Sequence, residues 1–358
     1  MSLLARLVLA IALLPSTALA EPYLAAQMGF KCGQCHVNPS GGGMRNAFGN
    51  SFAQMQMPER QILKDAEPWT GLLGKYFAVG GDLRANYNYN DVPNTDEENS
   101  FDVEEGRVYL EASIIPGRLS VYVDELVAPG NADNREANVR FWIRENALYV
   151  KAGRMYLPFG WRLEDDTAFT RQLSGINMTT PDNGAEIGFE SGPWTAQLAI
   201  SNGSAGGPEE DTGKQASLRA EYVQPVWRVG VSASTNNAEA GDREAFAIHG
   251  AIRTGPVVWL GEVDYVKDDS LLPLRDQYAA LGEANWRIRA GHNLKLTFEY
   301  FEPDDDVDED EQTRTSLVYE WTPVEFLQFR LGGRVYDGIP QNNQQNRKLY
   351  FLQMHGFF

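Results

Sequence analysis

The sequence predicts an all-β fold, a transmembrane outer-membrane β-barrel of about 16 antiparallel strands, preceded by a small N-terminal α-helical monohaem c-type cytochrome domain. Three observations carry that expectation. From Tyr76 onward apolar and polar residues alternate along many short segments; very short turns take turns with longer polar loops; and Cys32-Gly33-Gln34-Cys35-His36 stands near the start. The expected division is a signal peptide over residues 1–20, a monohaem cytochrome c-like plug domain over 21–70 and a porin-like β-barrel over 71–358.

Residues 1–20 carry Arg6, an apolar run from Leu7 to Leu14 and Ala18-Leu19-Ala20, the pattern of a cleavable export signal, so the mature chain is expected to begin at Glu21. The chain holds 31 basic and 49 acidic residues; without Arg6 the balance is 30 against 49, a net charge of about −19. Such an acidic surface argues against nucleic acid as a partner. No mature segment holds the ~20 consecutive apolar residues of a membrane-spanning helix. A transmembrane barrel has no such run, because its apolar band occupies alternate residues.

Two cysteines and a histidine at the Cys32, Cys35, His36 spacing form a c-type haem attachment site. The thiols add across the two vinyl groups of one covalently held haem c, and His36 is then placed to ligate the iron on the proximal side. A disulfide does not require His36, and zinc wants four ligands that this neighbourhood lacks. Residues 21–70 are too few for a large core. One or two short helices are expected between Met44 and Ala66, with Phe30, Phe48, Phe52 and the methionines supplying apolar packing. Met44 is the preferred distal ligand, with Met28, Met55 and Met57 as nearby thioethers. The remaining histidines are His249, His292 and His355, of which His249 and His355 fall on the inward row.

In the first strand Phe77, Val79, Leu83, Ala85, Tyr87 and Tyr89 share one parity, and Asp82, Arg84, Asn86 and Asn88 the other. The rule repeats through Leu294/Leu296/Phe298/Tyr300 against Lys295/Thr297/Glu299, and Leu327/Phe329/Leu331 against Gln328/Arg330/Arg334. Strands are expected to start near 76, 105, 118, 136, 147, 183, 193, 215, 226, 243, 256, 276, 292, 312, 325 and 346. Trp194, Trp227, Trp259, Trp286 and Trp321 fall beside the short turns, where an interfacial aromatic girdle runs. The last strand carries Tyr350, Leu352, Met354 and Phe358 on one face and ends on an aromatic, which resembles the assembly signal of bacterial outer-membrane proteins. Arginines such as Arg84, Arg107, Arg140, Arg144, Arg219, Arg228, Arg314 and Arg330 are assigned to the lumen, because a mid-plane arginine facing lipid costs ~2–4 kcal/mol. The acidic stretch from Glu302 to Glu311 reads as a solvated outer loop rather than a defined cation site.

Gly29-Phe30-Lys31-Cys32-Gly33-Gln34-Cys35-His36, followed by Asn46-Ala47-Phe48-Gly49-Asn50-Ser51-Phe52 and then a porin-sized barrel, resembles the fused monohaem cytochrome–porin family, which includes outer-membrane iron oxidases. Gly153-Arg154-Met155-Tyr156-Leu157-Pro158-Phe159-Gly160 is similar to a strand-to-loop passage of phosphate-selective-type porins. The iron-oxidising members tend to carry a Pro-x-Leu element after the haem histidine; residues 37–57 hold only Pro39, which weakens ferrous iron as donor. The resemblance implies an outer-membrane electron-transfer protein. It would pass electrons between an extracellular small donor, Fe(II) among the candidates, and a periplasmic electron-carrier cytochrome. The haem domain would lie in the barrel lumen or at its periplasmic side. Such outer-sphere transfer needs no acid-base catalysis. The alternative is a solute or anion porin whose haem domain gates, senses or anchors.

Overall fold

The computed structural model describes residues 21–130, 133–209, 211–239, 241–270 and 274–358. The expected signal peptide, residues 1–20, lies outside the described residues. Three short helices come first, α1 (Pro22–Met28), α2 (Cys32–Cys35) and α3 (Ala47–Gln56), and then a two-residue strand β1 (Leu72–Leu73).

The barrel strands are β2 (Phe77–Asp91), β3 (Glu98–Ile115), β4 (Leu119–Ala128), β5 (Ala137–Arg144), β6 (Leu148–Met155), β7 (Asp182–Ser191), β8 (Trp194–Ser201) and β9 (Gln215–Val223). They continue as β10 (Trp227–Ala238), β11 (Gly241–Thr254), β12 (Val257–Asp268), β13 (Arg275–Arg289), β14 (His292–Glu302), β15 (Gln312–Val324), β16 (Leu327–Asp337) and β17 (Lys348–Phe357). One further helix, α4 (Phe169–Ser174), lies in the β6–β7 connection.

Each strand from β2 to β17 pairs antiparallel with its neighbours, and β17 closes on β2 with Tyr350 opposite Tyr89 and His355 opposite Arg84. The result is a closed sixteen-stranded antiparallel barrel. Closure leaves no open edge between the first and last strands. Most strands begin within two residues of the expected positions. The exception is β3, which starts at Glu98 rather than near 105 because the first long loop is shorter than its polar composition suggests.

Alternation sorts the wall into two faces. Val229, Ile248, Leu296, Leu317 and Leu331 stand exposed on the outside, Ile248 at 64% and Leu331 at 60%. Large apolar side chains left bare in such number form a belt suited to lipid, not water. Trp194, Trp227, Trp259, Trp286 and Trp321 are likewise exposed near the short turns. The inner face is polar and buried: Arg107 meets Asp124 at 2.6 Å, Lys151 meets Glu186 at 3.2 Å, and Arg228 meets Glu221 at 2.5 Å. Arg144 departs from the expected inward row. A register shift between Trp142 and Arg144 leaves it exposed at the last position of β5.

Two segments fill the lumen. The β6–β7 connection, residues 156–181, folds inward, burying Leu157, Phe159, Trp161, Phe169 and Leu173. Arg314 and Arg334 hold its Asp165 at 2.9 Å each. The segment 21–70 has no large core of its own. Tyr23 and Ala26 pack with Trp161, Leu163 and the wall residues Val258 and Leu260, while Val37 and Met44 pack with Ala78, Tyr109 and Tyr122. Its polar groups are tied to the wall as well: Tyr23 Oη donates to Glu320 at 2.8 Å, Arg228 to the Phe30 carbonyl at 2.9 Å, and Arg253 to the Gln27 carbonyl at 2.7 Å. The segment sits toward the short-turn end, since a Cβ on Gly29 would lie 2.7 Å from Pro225 Cα and one on Gly291 would lie 2.5 Å from the Glu59 nitrogen.

Candidate functional site

The Cys32–His36 segment occupies a compact loop whose backbone is closed on itself. In α2 the Lys31 N–H donates to Gln34 Oε1 at 2.8 Å and the His36 N–H to the Cys32 carbonyl at 3.0 Å. The chain then turns through Gly41, Gly42 and Gly43, all with positive φ (91°, 78° and 61°), where side-chain-bearing residues would be strained. It returns antiparallel: Val37 N–H donates to the Met44 carbonyl and Asn46 N–H to the Cys35 carbonyl, each at 2.9 Å. Asn46 then caps α3 by accepting from Gly49 N–H at 2.9 Å. The expected helix between Met44 and Ala66 is therefore a single one, ending at Gln56, and α1 and α2 were not anticipated.

Cys32 and Cys35 are unbridged and half-buried, while His36 is buried. All three line one cavity inside the barrel, together with residues of the inward-folded connection and the wall. Phe30, Phe52 and Trp161 supply much of its apolar wall. Phe48, expected beside them, is half-exposed but packs edge-on against Phe30, ring centroids 5.5 Å apart. The His36 Nδ1 atom is buried without a hydrogen-bond partner. Burial, with Arg45 nearby, pushes the imidazole pKa down to about 4, which keeps it neutral with its ring nitrogens free of an added proton. Burial pushes the Cys35 thiol up to about 11. Two cysteines, a neutral histidine and aromatic rings around one apolar cavity are a donor set and a lining whose chemistry fits a covalently attached haem. Among the described residues, no group of three or more His, Cys, Asp and Glu side chains is arranged to hold a metal ion directly.

The structure separates the distal-ligand candidates. Met44 is 2% exposed and packed with Val37, Ala78, Tyr109 and Tyr122, with its N–H donating to Tyr122 Oη at 3.2 Å. It is not among the side chains lining the cavity; Met57, at the end of α3, is. His249 and His355 point inward as expected, but His249 lies behind Trp161 at 5.0 Å between ring centroids, and His355 pairs with Asp82 at 3.1 Å. His292 contacts Tyr319 Oη at 2.5 Å near the short-turn end. Arg162 and Trp161, both from the inward-folded connection, border the cavity and were not singled out from the sequence.

Two wider spaces flank this cavity. Toward the long loops lies a vestibule, which shares Glu21 with the cavity. There Glu21 meets Arg330 at 2.7 Å and Lys295 at 3.1 Å, so an ion-pair network floors the vestibule. Toward the short turns a cleft shares Lys31 and His36 with the cavity and reaches Ser191 and Pro193. Lys31 bridges to Glu190 there at 3.3 Å.

No protein-family model and no curated protein matches the sequence. Solved structures with the same architecture do. An anion-selective porin from Comamonas acidovorans aligns with a TM-score of 0.63 at 12% identity, covering 79% of this chain and 99% of that one. A loop-deletion form of OmpT, an outer membrane protein of Vibrio cholerae, gives 0.62 at 12% identity, covering 79% and 99%. OprB of Pseudomonas putida gives 0.61 at 10% identity, covering 80% and 95%. At these identities the likeness establishes the fold, the sixteen-stranded barrel of outer-membrane porins.

Proposed function

We propose that this chain is an outer-membrane electron-transfer protein in which Cys32, Cys35 and His36 hold one haem c inside a porin-type barrel. The observation that carries the reading is that Cys32, Cys35 and His36 together line one apolar cavity bordered by the barrel wall and its inward loop. The apolar belt of β2–β17 belongs in lipid, whose hydrocarbon core, ~30 Å thick, carries no charge or redox group of its own. A haem bound there supplies a one-electron iron centre whose potential is tuned by axial ligand and burial.

The residues around the cavity divide its two approaches. The vestibule would admit a small extracellular donor as far as the Glu21–Lys295–Arg330 floor, and the cleft beside Lys31 and His36 would face a periplasmic carrier cytochrome. Phe30, Phe52 and Trp161 exclude water from the space between. Fe(II) is one donor among several, and outer-sphere transfer from any of them calls for no acid-base step.

A second reading, a solute or anion porin, has its own support: the architecture is that of porins, one of them anion-selective, and a polar, charge-lined vestibule opens toward the long loops. Reconstitution into liposomes separates the two. A barrel that conducts ions poorly yet lets an external reductant reduce an enclosed cytochrome supports electron transfer. A large open conductance without transmembrane reduction supports the porin.

A further inference from the structure

A guanidinium buried among apolar groups without a carboxylate partner is costly, and proteins keep one only where an anion completes it. Arg162 is such a group. It is 8% exposed and lines the cavity beside Cys32, Cys35 and His36. Its Nη2 donates to Ser40 Oγ at 3.3 Å and to the Leu157 carbonyl at 3.0 Å, both neutral acceptors, and its Nε has no partner. Among the described residues it forms no ion pair within 4.0 Å, unlike the lumen arginines Arg107, Arg228, Arg314 and Arg330.

Arg162 packs on the glycine turn. A Cβ on Gly42 would lie 3.4 Å from Arg162 Cγ, and one on Gly41 4.0 Å from Arg162 Cβ, distances of ordinary van der Waals contact. The aliphatic stem thereby lies against the loop that bears the cysteines. Its guanidinium also stacks over Tyr156 at 4.8 Å, which holds the planar group in place. The other charged residues of the cavity leave it cationic on balance. Glu21 is taken by Lys295 and Arg330, while Arg219 shares Glu221 with Arg228 and donates to the Gly160 carbonyl.

We infer that Arg162 anchors a propionate carboxylate of the haem, making it a cofactor-binding residue contributed by the barrel's inward loop rather than by the haem-bearing segment. The inference rests on the haem reading above and deepens it. Planar, two-donor recognition of a carboxylate is what a guanidinium does best, and the partner charge would relieve the burial cost. The contact also couples the two lumen segments: residues 156–181 would clasp the group that residues 32–36 attach.

The test is the midpoint potential of the full-length protein in detergent at pH 7, measured by spectroelectrochemistry for wild type, Arg162→Met and Arg162→Lys. Arg275→Gln, at the long-loop end of β13, serves as a control. Losing the guanidinium leaves a propionate negative charge uncompensated, which favours ferric iron. Arg162→Met should therefore shift the oxidised-to-reduced ratio at fixed potential about tenfold toward oxidised, equivalent to ~59 mV for one electron. Arg162→Lys should restore most of the shift, and Arg275→Gln should leave the potential unchanged. A haem-loaded Arg162→Met protein with the wild-type potential overturns the anchor while leaving the haem reading intact. Wild-type protein without a haem spectrum overturns both. Should Arg162→Met fail to assemble, a haem-loaded Arg162→Lys protein carrying the same loss as a neutral substitution such as Arg162→Gln would also overturn the anchor, because charge would then be irrelevant.

Discussion

Asn38 Nδ2 donates to Glu136 Oε1 at 2.9 Å, joining the loop after the haem motif to the barrel wall one residue before β5. Both residues are buried, and the Asn38 side-chain Oδ1 accepts from the Ser40 N–H at 3.1 Å and the Ser40 hydroxyl at 2.9 Å. Asn38→Ala removes a donor from a buried carboxyl. Leaving such a group unsatisfied costs about 1–3 kcal/mol, so the variant should release the 21–70 segment to protease at lower denaturant while the barrel stays resistant.

Burial of Glu136 against this loop gives the 21–70 segment a pH dependence, which the Asn38 amide opposes in part by favouring the ionised carboxyl. Burial raises the Glu136 carboxyl to about 7. Because the folded pKa lies above the unfolded value, the docked state binds the extra proton between about pH 4.5 and 7, and docking weakens as pH rises through that window. Limited proteolysis of the segment should therefore accelerate from about pH 5 to about pH 8. Glu136→Gln should flatten the profile, and an unchanged profile in that variant would remove Glu136 as its source.

Gly49 is the tightest position in the haem loop. A Cβ there would stand 2.1 Å from the Cys35 carbonyl oxygen, a backbone atom that cannot rotate away. Gly49→Ala must push α3 off the motif, at an overpacking cost of ~1–3 kcal/mol or more. Haem incorporation should fall while heat-dependent gel mobility, which reports the barrel, persists. Full haem loading in Gly49→Ala would show that α3 does not brace the motif.

Met57 lines the cavity and Met44 does not, so the two thioethers should behave differently. If a methionine completes the iron, Met57→Ala should abolish its charge-transfer absorption and lower the potential, since thioether ligation raises it. Met44→Ala should keep the spectrum and instead lower stability by about 2–5 kcal/mol through the cavity it leaves against Tyr109 and Tyr122. The opposite pattern would return the distal role to Met44.

Much of the barrel was legible because its physics is local. Leu294, Leu296 and Phe298 against Lys295, Thr297 and Glu299 declare the two faces of β14 within a few residues, and turns such as Thr254-Gly255-Pro256 mark the ends. The Cys32, Cys35 and His36 spacing is equally local. The features that stayed hidden depend on contacts between distant residues. Nothing near Met44 shows that it faces Tyr122 rather than the cavity, and nothing in residues 156–181 shows that this connection folds inward to place Arg162 against Gly42. Arg144 was misassigned because parity fails at a bulge, where one extra residue reverses the face of every later position in the strand.

The account stands most directly on whether the barrel carries its own haem. Full-length protein from outer-membrane fractions, made in cells with a working haem-attachment system, can be assayed by pyridine haemochrome and by haem staining after denaturing electrophoresis. The predicted result is one covalent haem per chain, running with the heat-modifiable barrel band and lost in Cys32→Ser and Cys35→Ser variants whose barrels still assemble. A correctly assembled wild-type barrel with no visible absorbance and no haem stain would contradict it.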